Sequence, residues 1–182
     1  VYCVVRWLRR TGALLPGSLR PPDHAATRLR HDIERTLHDG AVAEASTLAL
    51  ELGVISALVD DPEVRVKLAA AQHRVRRVVD HLRQVGSEIY PPVLASAGLG
   101  PGLLAVAERL GLYLLLDLPR GELDAETGAR AGLLVADYFA TLPPGSVVRV
   151  RVRGRRIIRV SITDRQPGGT SPREHRAVLR CG

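Results

Sequence analysis

From Val64 onward the apolar residues Val64, Leu68, Ala71, Val75, Val78, Leu82, Val85 and Ile89 recur in steps of four and three without a miss. A seam sustained at that spacing is one face of a long helix, and it is stable in water only against a second apolar surface. Arg65, Lys67, Arg74, Arg76, Arg77, Asp80 and Arg83 fall on the outer faces. Asp61 and Pro62 supply an N-cap and a first helical residue, while Tyr90-Pro91-Pro92 ends the helix, since a residue before proline avoids the helical region. Upstream, about Asp23 to Val59 has no proline and carries Leu29, Ile33 and Leu37, continued by Ala41, Ala45, Leu48, Leu52, Ile55 and Val59. Two long antiparallel helices with one wide apolar face predict that two copies pair as a four-helix bundle, and hence a homodimer.

The pattern changes after Pro92. Gly98 to Leu110 reads as a short helix, Leu112 to Leu118 as a buried strand and Ala125 to Leu142 as an amphipathic helix broken by Pro143-Pro144-Gly145. Val147 to Val152 and Ile157 to Ile162 flank Arg153-Gly154-Arg155 as a β-hairpin. From Pro167 onward the only further core pattern is Ala177 to Leu179. The predicted organisation is a tail or linker over 1–22, a helical hairpin over 23–92, an α+β module over 93–169 and an irregular tail over 170–182.

The scarcity of rings suits helices packed with Leu, Val, Ile and Ala: aromatics make up 3% of the chain. The formal net charge of +7 is nearly all arginine, because Lys67 is the single lysine. Arginines spread over outer helix faces, without an aromatic platform, predict a solvated surface and not a nucleic-acid footprint. Val1 to Leu8, followed by Arg9 and Arg10, is too short to cross a bilayer, which takes about 20 apolar residues. It fits either an amphipathic stub or the inner end of a span cut off upstream. The absence of methionine, even at position 1, reads as a piece of a longer chain. Cys3 and Cys181, at opposite ends, make no disulfide framework or metal spacing, which points to a reducing cytosol.

The chemistry concentrates in Ile33-Glu34-Arg35-Thr36-Leu37-His38-Asp39-Gly40. A helical histidine is most often a solvated or core residue. Here Asp39 follows at once, and a carboxylate that holds one imidazole nitrogen leaves the other as a nucleophile. Gly40 costs about 1 kcal/mol relative to alanine inside a helix, and leaves open space beside the ring.

These residues, with the Ala/Leu-rich run after them, resemble the phosphoacceptor helix of bacterial two-component sensor histidine kinases. The subfamily is the one partnered with response regulators of the LuxR/NarL type. Ile89-Tyr90-Pro91-Pro92-Val93-Leu94 and Gly98-Leu99-Gly100 are similar to the junction that joins that family's dimerisation helices to its ATP-binding domain. The resemblance spans roughly Ala25 to Gly169. It implies a helical hairpin forming a dimeric four-helix bundle, followed by a partial α/β-sandwich ATPase-like domain. It further implies autophosphorylation with ATP and Mg²⁺, and phosphotransfer to a response-regulator aspartate. His38 would be the phosphorylated residue, Asp39 the neighbour that orients it and takes up its proton, and Arg35 the cation near the phosphate. The setting would be cytoplasmic, either free or as the cytoplasmic part of a membrane-anchored sensor, with membrane contact only through a segment before Val1.

The nucleotide half departs from the family pattern. Asp137 stands where a glutamate is expected, and Thr141 where an asparagine would hold Mg²⁺; a lone hydroxyl is a weak ligand for a hard cation. The adenine-binding turn reads Asp164-Arg165-Gln166-Pro167-Gly168-Gly169, which keeps Asp164 and Gly168 but puts Gln166 in place of a glycine. Ala43 replaces a glutamine associated with dephosphorylating the partner. No glycine-rich lid is recognisable within Thr170 to Gly182. Two functions stand side by side: an ATP-dependent kinase, and a catalytically impaired dimerisation and phosphoacceptor module that binds a partner kinase or regulator.

Overall fold

The structure, a computed structural model, describes residues 19–119, 121 and 123–180. Val1–Leu8, Cys3 and Cys181 lie outside the described residues. The chain divides into two compact units: Arg28–Tyr90, and Pro91–Gly182 together with the described residues up to Thr27. The expected boundaries at 22/23 and 92/93 lie a few residues from these divisions.

The hairpin unit takes in most of α1 (His24–Thr36), a π-helical turn (Leu37–Val42), α2 (Ala43–Leu58) and α3 (Pro62–Ile89). Asp61 caps α3 as the sequence predicts, its side chain accepting from the Glu63 and Val64 N–H groups at 2.8 and 3.4 Å. At the other end the Gly86 carbonyl accepts the Tyr90 N–H at 2.9 Å. Val42 and Ala49 of the first arm and Val79 of α3 are buried. Gln72 crosses between the arms, donating its amide to the Ala49 carbonyl at 2.8 Å. Gly53 makes room for it, because a Cβ there would lie 2.7 Å from the Gln72 amide nitrogen.

The expected apolar frame of the first arm is not the one that packs within the chain. Leu29, Ile33, Leu48 and Ile55 are exposed, and on α3 it is Val79 and not Val78 that is buried. Beyond Val42 the cause is the π turn, which does not act on Leu29 and Ile33 upstream of it. A continuous period of 3.6 carries the frame straight through residues 37–42, whereas an i→i+5 turn rotates everything downstream.

The sheet unit contains α4 (Pro92–Ser96), α5 (Leu99–Arg109), β1 (Tyr113–Asp117), α6 (Ala125–Phe139), β2 (Val147–Arg153), β3 (Ile157–Arg165) and β4 (Arg173–Arg180). The four strands lie in the order β1-β2-β3-β4, with β1 parallel to β2 and the other pairs antiparallel. Val148, Val150, Val152, Ile158 and Ile162 point to the covered face and are completely buried, as are Phe139 and Val135 of α6. Gly154 closes the β2–β3 hairpin at φ +111°, where a Cβ would collide with the Ile157 carbonyl oxygen.

Leu94 is the key residue of α4. A Cβ at Gly102 of α5 would come within 2.5 Å of its side chain, and one at Gly132 of α6 within 2.7 Å. Both helices therefore keep a glycine notch for one leucine. Asp124 starts α6, accepting the Thr127 N–H at 2.8 Å, and that bond holds its carboxyl below the usual carboxylate range.

Two strand expectations are corrected. The run 112–118 is not a fully buried strand: β1 is an edge strand whose Tyr113 and Leu115 face solvent. Nor is 170–182 an irregular tail. Arg173–Arg180 pairs along β3 from Asp164↔Arg173 to Ile157↔Arg180 and buries Ala177 and Leu179. Backbone pairing defines this strand, so only those inward positions needed to be apolar, too few to show in the sequence.

Candidate functional site

His38 and Asp39 sit inside the π turn. Their neighbours explain why an irregular turn is stable there. Thr36 returns its hydroxyl to the Asp32 carbonyl at 2.8 Å, and Ser46 returns its own to the Val42 carbonyl at 2.6 Å. Such back-bonding loosens regular helix geometry on both flanks. Single π turns inside long helices occur frequently at functional positions.

Arg35, near the end of α1, lies close to His38 and Asp39 of the turn. His38 Nδ1 lies 3.3 Å from Asp39 Oδ1, and Asp39 Oδ2 lies 3.8 Å from Arg35 Nε. A carboxylate only accepts, so the tautomer that suits this contact carries its proton on Nδ1 and its lone pair on Nε2. The His38 and Asp39 side chains are 65% and 66% exposed, which makes that nitrogen reachable by a macromolecular partner. A Cβ at Gly40 would meet nothing within 4 Å, so the space beside the ring is open. Asp32, Arg35, Thr36 and Asp39 line a shallow depression on this surface.

A supporting cluster one to two turns earlier was not legible as such. The His31 ring packs on Tyr90 with centroids 4.9 Å apart, and Glu34 is buried with its Cγ 3.7 Å from where a Gly86 side chain would begin. Burial and then the charge of Glu34 push the Tyr90 phenol up. Tyr90 thus works as a packing anchor at the base of the hairpin, beyond its part in ending α3. The pairing of Glu34 with Gly86, across the two arms, is the signal that could have located it.

The residues assigned to nucleotide binding have other partners. Asp164 is fully buried, with Oδ1 accepting the Tyr138 hydroxyl and Oδ2 accepting Arg173 Nε and Nη2 at 3.1 and 2.6 Å. Burial, then the bond to Asp164, pushes the Tyr138 phenol far up. His175 packs on the Tyr138 ring and brings Nε2 within 3.9 Å of Asp164 Oδ1. The Thr141 hydroxyl donates to the Tyr138 carbonyl at 2.7 Å, finishing α6. Asp137 is half-buried on α6, and Gly168 sits at φ +76° in the turn after β3. The Asp164 carboxylate is thus buried and engaged on both oxygens by the chain itself, whereas the Thr141 hydroxyl, being a donor here, keeps its oxygen lone pairs.

Residues 30–94 match the family model described as histidine kinase. This stretch belongs to the histidine kinase family. The family is the one whose members form dimers and pair with NarL-type regulators. The match begins two turns before His38 and ends on Leu94, so the matched segment comprises the π turn, most of the hairpin unit and the leucine of α4. Among solved structures, the chain is similar to the Erythrobacter litoralis EL346 blue-light activated histidine kinase, at 16% identity and a TM-score of 0.32. That alignment covers 71% of this chain and 45% of the other, so the chain spans under half the length of that protein. No curated protein matches the chain.

Proposed function

We propose that the chain is the phosphoacceptor part of a two-component histidine kinase: His38 takes a phosphoryl group on Nε2 and hands it to an aspartate of a NarL-type response regulator. The observation that carries this reading is the geometry of the π turn, where Asp39 engages Nδ1 and the His38 side chain is 65% exposed. Asp39 holds the tautomer and stabilises the charge that grows on the ring as the N–P bond forms. Arg35 stands ready to swing from Asp39 toward the incoming phosphate oxygens, where a guanidinium binds bidentately. Homodimerisation through the hairpin into a four-helix bundle is part of the same proposal, and so is a cytoplasmic setting.

The source of the phosphoryl group divides two readings. In the first, this chain binds ATP and Mg²⁺ and phosphorylates itself. In the second, an intact kinase phosphorylates His38 in trans. The burial of the Asp164 carboxylate, engaged by Tyr138 and Arg173, favours the second. The deciding experiment incubates the purified chain with radiolabelled ATP and Mg²⁺, alone and with an intact histidine kinase of the same family. Acid-labile label only in the mixture supports phosphorylation in trans; label on the chain alone overturns it in favour of self-phosphorylation. No label in either case overturns the phosphoacceptor role itself.

A further inference from the structure

The sheet of the second unit has one covered face and one open face, and the open face is built of arginine. β2 alternates Arg149, Arg151 and Arg153 outward between the buried Val148, Val150 and Val152. β3 adds Arg159 and Arg165, and β4 adds Arg176 and Arg180, all exposed. The register places Arg151 and Arg176 on either side of Ser161, and Arg153 beside Arg159, so the guanidiniums form a continuous field with strands about 4.8 Å apart. Against these seven arginines the face carries two carboxylates. Asp117 holds Arg151 and Arg153, and Glu174 holds Arg176. Much of the chain's net charge of +7 is therefore gathered on one flat surface, where the sequence reading had spread it over helices.

Four large apolar side chains share this face. Tyr113 and Leu115 stand out from β1, Ile157 from the start of β3 and Val178 from the middle of β4, at 68%, 51%, 46% and 57% exposure. Their presence selects among anionic partners. A nucleic-acid backbone offers phosphates but nothing for Leu115, Ile157 and Val178 to enter, and one tyrosine is no stacking platform. A bilayer surface offers both: headgroup phosphates for guanidiniums, which bind them bidentately and give up their hydration readily, and an acyl boundary for the apolar residues, with tyrosine at its preferred depth.

We propose that the open face of this sheet docks on an anionic phospholipid surface, with the arginines on the headgroups and Leu115, Ile157 and Val178 at the acyl boundary. The contact is independent of the phosphoacceptor reading and needs no membrane-spanning segment. Juxtamembrane basic residues each contribute roughly a fivefold gain in binding to anionic lipid, screened by salt.

The test is co-sedimentation of the full chain with vesicles of phosphatidylcholine, with and without phosphatidylglycerol. Binding is expected only with phosphatidylglycerol, and it should fall steeply as salt is raised. The triple variant Arg149→Gln, Arg159→Gln, Arg176→Gln should lose on the order of a hundredfold in affinity. Removing the same charge from α3, by Arg65→Gln, Arg76→Gln, Arg83→Gln, should cost only the small change expected from net charge. Leu115→Ser with Val178→Ser should weaken binding several-fold at unchanged charge. All comparisons use the same N-terminal residues, so Trp7, Arg9 and Arg10 contribute equally throughout, and thermal melts followed by circular dichroism establish that each variant is folded. Equal binding to neutral vesicles, equal losses from the sheet and α3 variants, or no binding at all would overturn the proposal. So would tighter binding to duplex DNA with no effect of the Leu115/Val178 change, which would assign the face to nucleic acid.

Discussion

In the sheet unit Val148, Val150, Val152, Ile158 and Ile162 are completely buried, whereas in the hairpin Leu50, Val54 and Leu58 lie 69%, 62% and 78% in solvent. The two units are of one chain and of similar apolar content, yet one encloses its own core and the other does not. α2 shows why: it packs on α3 through small residues, Ala49 and Gly53, and leaves its large ones outward. The sheet unit's stability is a property of the single chain. In the proposed dimer a second copy covers Leu48 and Ile55, which would make the hairpin's stability rise with protein concentration.

The sharpest way to break this contrast is at Leu94. Leu94→Ala empties the notch formed by Gly102 and Gly132 and should cost about 2–5 kcal/mol in denaturant unfolding of the sheet unit. A loss well under 1 kcal/mol would mean that this core is not closed as described. In the hairpin, Leu48→Asp with Ile55→Asp should leave the single-chain fold intact and shift sedimentation from dimer to monomer at micromolar concentration, since each charge appears twice in a symmetric interface. An unchanged dimer would place the interface elsewhere.

A smaller effect belongs to the α6 cap. Asp124→Ala should cost about 1 kcal/mol at neutral pH. The Asp124 carboxyl is held below its ordinary value of 3.8, so its contribution is complete above that value and fades as pH falls through the lowered one. The difference between wild type and variant, followed by thermal melts, should therefore shrink in strong acid; a difference that grows would reverse the sign. Smallest of all, Leu58→Ser removes a side chain already in water, and should change single-chain stability by less than about 0.5 kcal/mol.

The elements that announce themselves by caps and breakers were legible in the sequence: Asp61-Pro62 and Tyr90-Pro91 bound α3, and the Gly154 hairpin lies where the alternation places it. The π turn was not, because propensity and period describe regular helices, and Gly40 hints only at space. β4 was not, because its outward residues are charged and its pairing is backbone to backbone. At the site, the grouping of Arg35, His38 and Asp39 followed from spacing along one helix. The capture of Asp164 by Tyr138 and Arg173 did not, since it joins α6, β3 and β4 across the fold.

The central claim is that the π turn exposes one particular imidazole nitrogen for phosphorylation. It is tested most directly by mapping the modified residue, by mass spectrometry under non-acidic conditions, after the chain has been labelled by an intact histidine kinase. Among the chain's 6 histidines the modification is predicted on His38 alone, and His38→Gln should abolish it. Phosphate on another histidine, or label that survives His38→Gln, would contradict the account.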